Sequence, residues 1–108
     1  MTVPKARSRA TQKALRLLGA QIRLARRKRG WTIEDLAERV GVTRVTIRNV
    51  EQGAPGVAVG TVFEAAVLVG VPLYHEDPDR LRLEEGRVSD QLALLPERIR
   101  SRTPDDAF

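Results

Sequence analysis

The side chains that could do chemistry in this 108-residue chain are mostly cationic, with nineteen Lys and Arg against fourteen Asp and Glu. Residues 1–60 hold thirteen Lys and Arg against four Asp and Glu, a net charge of +9. Residues 61–108 hold six against ten, a net charge of −4. This asymmetry predicts that the first half binds a polyanion and the second half a protein partner, although two solvated faces would have the same composition.

Residue types that catalysis needs are scarce. The chain has no cysteine, so disulfides, thiolate zinc sites and a cysteine nucleophile are excluded, and its one histidine, His75, has no nucleophile partner. Two carboxylate pairs exist, Asp77 with Asp79 and Glu84 with Glu85. Neighbours one or two residues apart on a helix point apart, so neither pair makes an acid–base site. We therefore expect no enzyme activity, no metal and no cofactor.

The sequence also argues against a membrane protein. An uncharged stretch at residues 52–63 falls short of the ~20 apolar residues that span a bilayer. Lys5, Arg7, Arg9 and Lys13 interrupt the region where a signal peptide would have its apolar core. We expect a cytoplasmic protein.

The spacing of apolar residues predicts four helices between residues 11 and 70 and a further helix over residues 88–95, so the fold class is all-α with a C-terminal extension. Residues 1–12 lack apolar periodicity and are interpreted as a flexible basic arm. Residues 13–73 are predicted to form the helical domain. Residues 74–108 are predicted to form an acidic extension that contacts a second copy or a partner and has a disordered end.

Capping residues set the expected limits of the first two helices. The first should begin near Thr11 and end at Gly30. The second should begin at Thr32, with Asp35 in capping-box spacing, and end at Gly41.

The later elements are less regular. A third helix is expected after Thr43, and a fourth over residues 58–69, which has no side-chain cap because it begins at Ala58. Beyond it, Leu81 and Leu83 alternate with arginines as in a short strand, and residues 88–95 have helical spacing.

The second and third helices are separated by only three residues. A steep crossing over so short a turn needs a small residue at the contact and a turn residue that tolerates positive φ, and Ala37 and Gly41 meet these needs. Apolar residues occupy the positions that must point inward: Leu36, Val40, Val42, Ile47 and Val50. The pattern indicates a helix-turn-helix.

Residues 22–70, which include IRLARRKRGWTIEDLAERVGVTRVTIRNVEQG, resemble a Cro/repressor-type helix-turn-helix domain of the XRE family. The resemblance implies a compact bundle of four or five helices. It also implies a dimeric repressor that binds a double-stranded DNA operator.

In that family the N-terminal part of the third helix faces base edges in the major groove. The resemblance therefore implies base contacts by Arg44, Val45 and Asn49, whose side chains suit guanine, the thymine methyl group and adenine respectively. An ordinary core position is the alternative for Val45.

Phosphate contacts are expected from a second set of residues, with a solvated charge as the alternative for Arg48. They are Thr43, Thr46, Arg48, Arg23, Arg27 and Lys28. The chain departs from the family at Ile33, where a polar residue commonly contacts a phosphate.

Arg26 and Glu51 occupy positions that form a buried ion pair in many relatives, so a structural role is favoured for Arg26 over a DNA contact. Trp31 is expected to pack in the core rather than stack on a base.

The segment after the third helix and the tail resemble HipB-like antitoxins, which dimerise and hold a HipA-type kinase toxin. The resemblance implies an autoregulating antitoxin repressor. A free-standing XRE-family regulator and a protein-interaction module that has lost DNA binding are the alternatives. Candidate dimer-surface residues, which could instead fill the core of one protomer, are Val62, Leu68, Val71, Leu73 and Leu81.

Overall fold

The computed structural model describes residues 7–74 and 77–98. Within these residues the protein is all-α with five helices, as the sequence predicts. The helices are α1 (Arg9–Lys28), α2 (Ile33–Val40), α3 (Arg44–Glu51), α4 (Val59–Val69) and α5 (Pro78–Leu94). The chain divides into two compact units between Leu73 and Tyr74, so that α1 to α4 belong to the first and α5 to the second. In this part of the chain no helix has the length and apolarity needed to cross a membrane.

Helix α1 begins earlier than the sequence indicated. Ser8 is the N-cap, because its hydroxyl accepts a hydrogen bond from the Thr11 amide at 3.2 Å. The Gln12 side chain adds a second bond to the Arg7 carbonyl at 3.0 Å. Thr11 therefore lies within the helix, and the segment predicted as a flexible arm is already helical from Arg9. The expected arm otherwise falls on residues 1–6, outside the described part of the chain.

The first unit has one hydrophobic core, to which all four of its helices contribute. Ile22 on α1, Leu36 on α2 and Ile47 on α3 are the largest side chains with no exposed surface. The other buried apolar residues are Ala37, Val50, Val62, Ala65, Ala66 and Val69. On α3 and α4 these residues are three or four apart, so each helix turns one apolar face to the core.

Two glycines let α1 and α3 approach closely. A Cβ on Gly19 would lie 2.5 Å from the carbonyl oxygen of Val50, and one on Gly53 would lie 2.7 Å from the backbone nitrogen of Arg16. Gly53 also has φ of 75°, which favours glycine. The end of the helix-turn-helix is thus held against α1 by backbone contact.

Helix α4 follows the prediction closely. It begins after Ala58, which makes no side-chain capping bond, and ends at Gly70 with φ of 85°. Its inner face supplies four of the buried residues, so tertiary packing rather than side-chain capping stabilises this helix.

The prediction for the C-terminal unit was wrong in one respect, because the segment expected as a strand is helical. Asp77 caps α5 with a bond from the Asp79 amide at 2.9 Å, and Pro78 occupies the first helical position. The apolar alternation of Leu81 and Leu83 is too short to outweigh these start signals. The helix ends before Leu95, which precedes a proline and adopts an extended conformation.

Candidate nucleic-acid interface

The turn between α2 and α3 has the geometry of a helix-turn-helix. Gly41 ends α2 with φ of 86°, and the amides of Gly41 and Val42 both donate to the Ala37 carbonyl, at 2.8 and 3.0 Å. Thr43 then caps α3, so only three residues separate the helices. Ala37 is buried at the crossing, where its small side chain allows close approach.

The start of α2 is fixed by a complete capping box. The Asp35 amide donates to the Thr32 hydroxyl at 3.0 Å, and the Thr32 amide donates to the Asp35 carboxylate at 2.8 Å. The hydrogen bonds from Thr32 lower the pKa of Asp35 from its ordinary value.

One face of α3 is left open to solvent by the packing of the bundle. Arg44, Arg48 and Gln52 lie four residues apart along one line of this face, and Val45 and Asn49 lie along the adjacent line. Val45 is 56% exposed, so it is not a core residue. Asn49 is half-buried at the edge of the face. The three predicted base-reading residues are therefore brought together on one surface.

Thr43 and Thr46 already bond each other. The Thr43 hydroxyl accepts from the Thr46 amide at 3.3 Å, and the two hydroxyl oxygens are 3.1 Å apart. The Thr43 side chain thus caps α3, and the Thr46 hydroxyl bonds the capping oxygen. One hydroxyl proton of the pair remains available to an acceptor outside the protein.

A buried ion pair fastens the end of α3 to α1. The Arg26 guanidinium donates to both carboxylate oxygens of Glu51, at 2.7 and 3.0 Å, and to the Trp31 carbonyl at 2.7 Å. The side chains are only 8% and 5% exposed. The structure thus brings Arg26 and Glu51 together as the resemblance implied, and this fixes the orientation of α3.

Glu34 lies beside the open face of α3, and sequence spacing did not reveal this neighbour. Its carboxylate lies 3.2 Å from the Arg44 guanidinium, and both side chains are 57% exposed. An ion pair so open to water contributes little stability. Arg44 is therefore oriented by Glu34 yet able to leave it for a stronger acceptor.

A cleft between α1 and α3 joins two of the predicted phosphate contacts. Arg23 and Arg48 line it together with Gln52, Ile33 and the Arg26–Glu51 pair. Sequence reasoning missed Gln52, which follows α3 and has no periodic signal of its own. The departure at Ile33 is explained by packing, because its side chain contacts the core.

The other cations of α1 have different surroundings. Arg27 and Lys28 are exposed, as a phosphate contact requires. Arg29 instead donates to the Val69 carbonyl at 3.1 Å. Trp31 packs against the core, and the guanidinium groups of Arg29 and Arg39 lie 5.3 and 4.1 Å from its ring centroid. Trp31 is therefore placed for packing rather than for stacking on a base.

The residues predicted as a dimer surface are mostly inside the first unit. Val62 is buried in the core, which favours the core alternative for that residue. Leu68, Val71 and Leu73 are half-buried and pack against the same core. Only Leu81 on α5 is exposed, at 37%.

The chain matches one solved structure and one family model. No curated protein sequence matches the chain. A solved structure described as a complex of a HipB variant with an O2 20mer has a TM-score of 0.49 and 23% sequence identity. That match covers 71% of this chain and 99% of the other.

A family model described as "Helix-turn-helix domain" matches residues 17–77, which is more than half of the chain. The matched segment contains the tight turn at Gly41, the exposed face of α3 and the Arg26–Glu51 pair. The chain therefore belongs to the helix-turn-helix domain family, which confirms the Cro/repressor-type resemblance of its sequence.

Proposed function

We propose that this protein is a sequence-specific transcriptional repressor that binds operator DNA as a dimer, with α3 in the major groove. The observation that carries the proposal is the open face of α3. It presents Arg44, Val45 and Asn49 together, and the buried Arg26–Glu51 pair holds it in place. A helix such as α3, which carries arginines on its open face and is fixed to the bundle, fits the shape and charge of the DNA major groove.

Two kinds of DNA contact are expected, one to base edges and one to phosphates. Arg44 and Asn49 have the bidentate geometry that distinguishes guanine and adenine. Arg23 and Arg48, which share a cleft, would neutralise phosphates regardless of sequence. Further contacts to the DNA phosphates would come from the hydroxyls of Thr43 and Thr46 and from the exposed Arg27 and Lys28.

The test begins with selection of DNA from a random duplex library by the full chain, followed by titration of the selected site between 50 and 200 mM salt. We expect Arg44→Ala to lose about 1–3 kcal/mol of discrimination at one base position. Arg48→Ala should weaken all sequences alike and reduce the salt slope by about one.

Arg82→Ala is the matched control, because Arg82 is an exposed arginine on α5 that pairs with Asp79. It should leave both affinity and discrimination unchanged. Failure to enrich any sequence would contradict the proposal in favour of a module without DNA binding. Unchanged discrimination in Arg44→Ala would show that α3 is read in a different register.

A narrower role follows from the HipB-like resemblance of the sequence: an autoregulating antitoxin that also holds a kinase toxin, acting in the cytoplasm. The support is that the acidic segment after Leu73 forms a compact unit of its own, whose helix α5 has no buried residue. Co-purification of the full chain from its native cells should then yield an identified kinase. A protein that binds its operator without such a partner is a free-standing regulator.

A further inference from the structure

Helix α1 has a line of cations along its exposed side. Its members follow one another at intervals of four, three, seven and four residues, and all are exposed. Intervals of three, four and seven residues return to about the same side of an α-helix. We call this line the α1 stripe, and its members are Arg9, Lys13, Arg16, Arg23 and Arg27.

The α1 stripe is unfavourable for the helix that carries it. Helix α1 contains seven Lys and Arg and no Asp or Glu. Like charges three or four residues apart on a helix repel each other, as Lys13 does both Arg9 and Arg16. Arg9 also lies in the first turn, where the helix dipole disfavours a cation. A face that served only solubility would mix both signs of charge, whereas this face repels itself and would be stabilised by a polyanion.

The first part of the α1 stripe lies on turns that the core does not need. In the described structure α1 contributes no residue before Leu18 to the core or to the apolar side chains packed against it. Residues 9–16 thus extend α1 by about 12 Å, at 1.5 Å per residue. They also precede the segment that matches the family model, which begins at residue 17. Packing of the core therefore does not account for the length of α1.

The α1 stripe lies beside the end of α3 at two points. Arg23 shares a cleft with Arg48 and Gln52 from the open face of α3. Two turns earlier, the backbone of Arg16 approaches the residue after Gln52, since a Cβ on Gly53 would lie 2.7 Å from the Arg16 nitrogen. A duplex read by α3 would therefore have neighbouring phosphates within reach of the stripe.

We propose that Arg9, Lys13 and Arg16 form a second phosphate-binding site, which holds the DNA backbone that flanks the bases read by α3. This inference rests on the proposed DNA binding and extends it to duplex outside the base-reading site. Fourteen residues separate Arg9 from Arg23, which is about 21 Å of helix and matches roughly six phosphates of one strand. Contacts to phosphates add affinity without sequence preference.

The test uses the full chain and two duplexes, one that ends at the selected bases and one with about ten further base pairs on each side. The glutamine variant, Arg9→Gln with Lys13→Gln and Arg16→Gln, removes three charges but keeps good helix formers. At about 50 mM salt the wild type should bind the longer duplex at least about tenfold more tightly. This preference should fall below about threefold in the glutamine variant, whose salt slope on the longer duplex should be smaller by about two to three.

The matched control removes three exposed arginines from α5 instead: Arg80→Gln with Arg82→Gln and Arg87→Gln. It changes the net charge of the chain by the same amount. We expect it to keep both the wild-type preference for the longer duplex and the wild-type salt slope. Equal losses in the two triple variants would overturn the proposal, because they would show that only the net charge matters.

A conservative variant separates loss of charge from damage to the helix. Arg9→Lys with Arg16→Lys keeps every charge of the α1 stripe, so it should keep the preference for the longer duplex. Loss of that preference would overturn the proposal. Circular dichroism of the glutamine variant should show at least the wild-type helix content, because repulsion between like charges has been removed.

The remaining outcomes distinguish this site from the proposed function. A glutamine variant that selects the same bases with an unchanged length preference and salt slope would overturn only the second phosphate site. A wild type that selects no sequence, while its duplex binding loses the expected salt slope in the glutamine variant, would overturn only the repressor. Binding to phosphatidylserine vesicles that the glutamine variant loses, with DNA binding unchanged, would overturn the proposal in favour of a membrane surface.

Discussion

The two units of this chain use helices in opposite ways. In the first unit, four helices bury a common core against which Trp31 packs. The Arg26 guanidinium there bonds both the Glu51 carboxylate and the Trp31 carbonyl. In the second, α5 has seventeen residues and none is buried. An isolated helix of this length is marginal in water, so the stability of α5 depends on its cap and its local ion pairs.

Ion pairs show the contrast most clearly. Arg26–Glu51 is almost fully removed from water, whereas Arg87–Glu84 on α5 has 71% and 47% of its side chains exposed. Burial makes the first pair costly to break, because the remaining charge cannot regain its hydration. The second can be broken with little loss, since water takes the place of the partner. An Arg–Glu ion pair thus contributes very differently to stability in the two units.

The largest expected effect comes from breaking the buried pair. Glu51→Ala should lower the free energy of unfolding by about 3–5 kcal/mol, because it leaves the Arg26 guanidinium buried without its carboxylate. Urea unfolding followed by Trp31 fluorescence measures it. Glu34→Ala, which breaks the exposed pair with Arg44, is the control and should cost no more than about 1 kcal/mol. Equal losses of unfolding free energy in the two variants would refute the claim that burial makes the Arg26–Glu51 pair more important for stability.

Glycine should also behave differently in the two units. Gly19→Ala should destabilise by about 1–3 kcal/mol, because its Cβ would meet backbone of α3 that cannot easily move. Gly86→Ala on α5 has open space around it and should raise helix stability by about 0.5–1 kcal/mol. Thermal melting for Gly19 and helical ellipticity for Gly86 measure these changes. A neutral Gly19→Ala would mean that α1 and α3 are less closely packed.

The smallest expected effect concerns acid. The lowered pKa of Asp35 means that its carboxylate stabilises the folded state at pH values above the ordinary aspartate pKa, about 3.9. That contribution is lost as pH falls through the lower folded value. Asp35→Asn should therefore melt below the wild type at neutral pH, and the gap should close in acid. A gap between the two melting temperatures that stayed the same from neutral to acid pH would contradict this role of Asp35.

Local chemistry explains why much of the fold could be predicted. The capping box of Thr32 and Asp35, the turn at Gly41 and the C-terminal ends of α1 and α4 each depend on residues within about five positions. Where local signals competed, the prediction failed: two alternating leucines indicated a strand, while the cap at Asp77 and the following proline start a helix. The spread of charge along the chain was likewise readable without a structure.

By itself, the sequence determined the helix-turn-helix, its caps and the basic character of the first unit, because these depend on neighbours along the chain. Tertiary structure decided which side chains meet over longer distances. The pairing of Arg44 with Glu34, the contact of Gly19 with Val50 and the outward direction of Phe63 all depend on how helices cross. Helical periodicity shows that a helix has two faces, but only packing decides which one is covered.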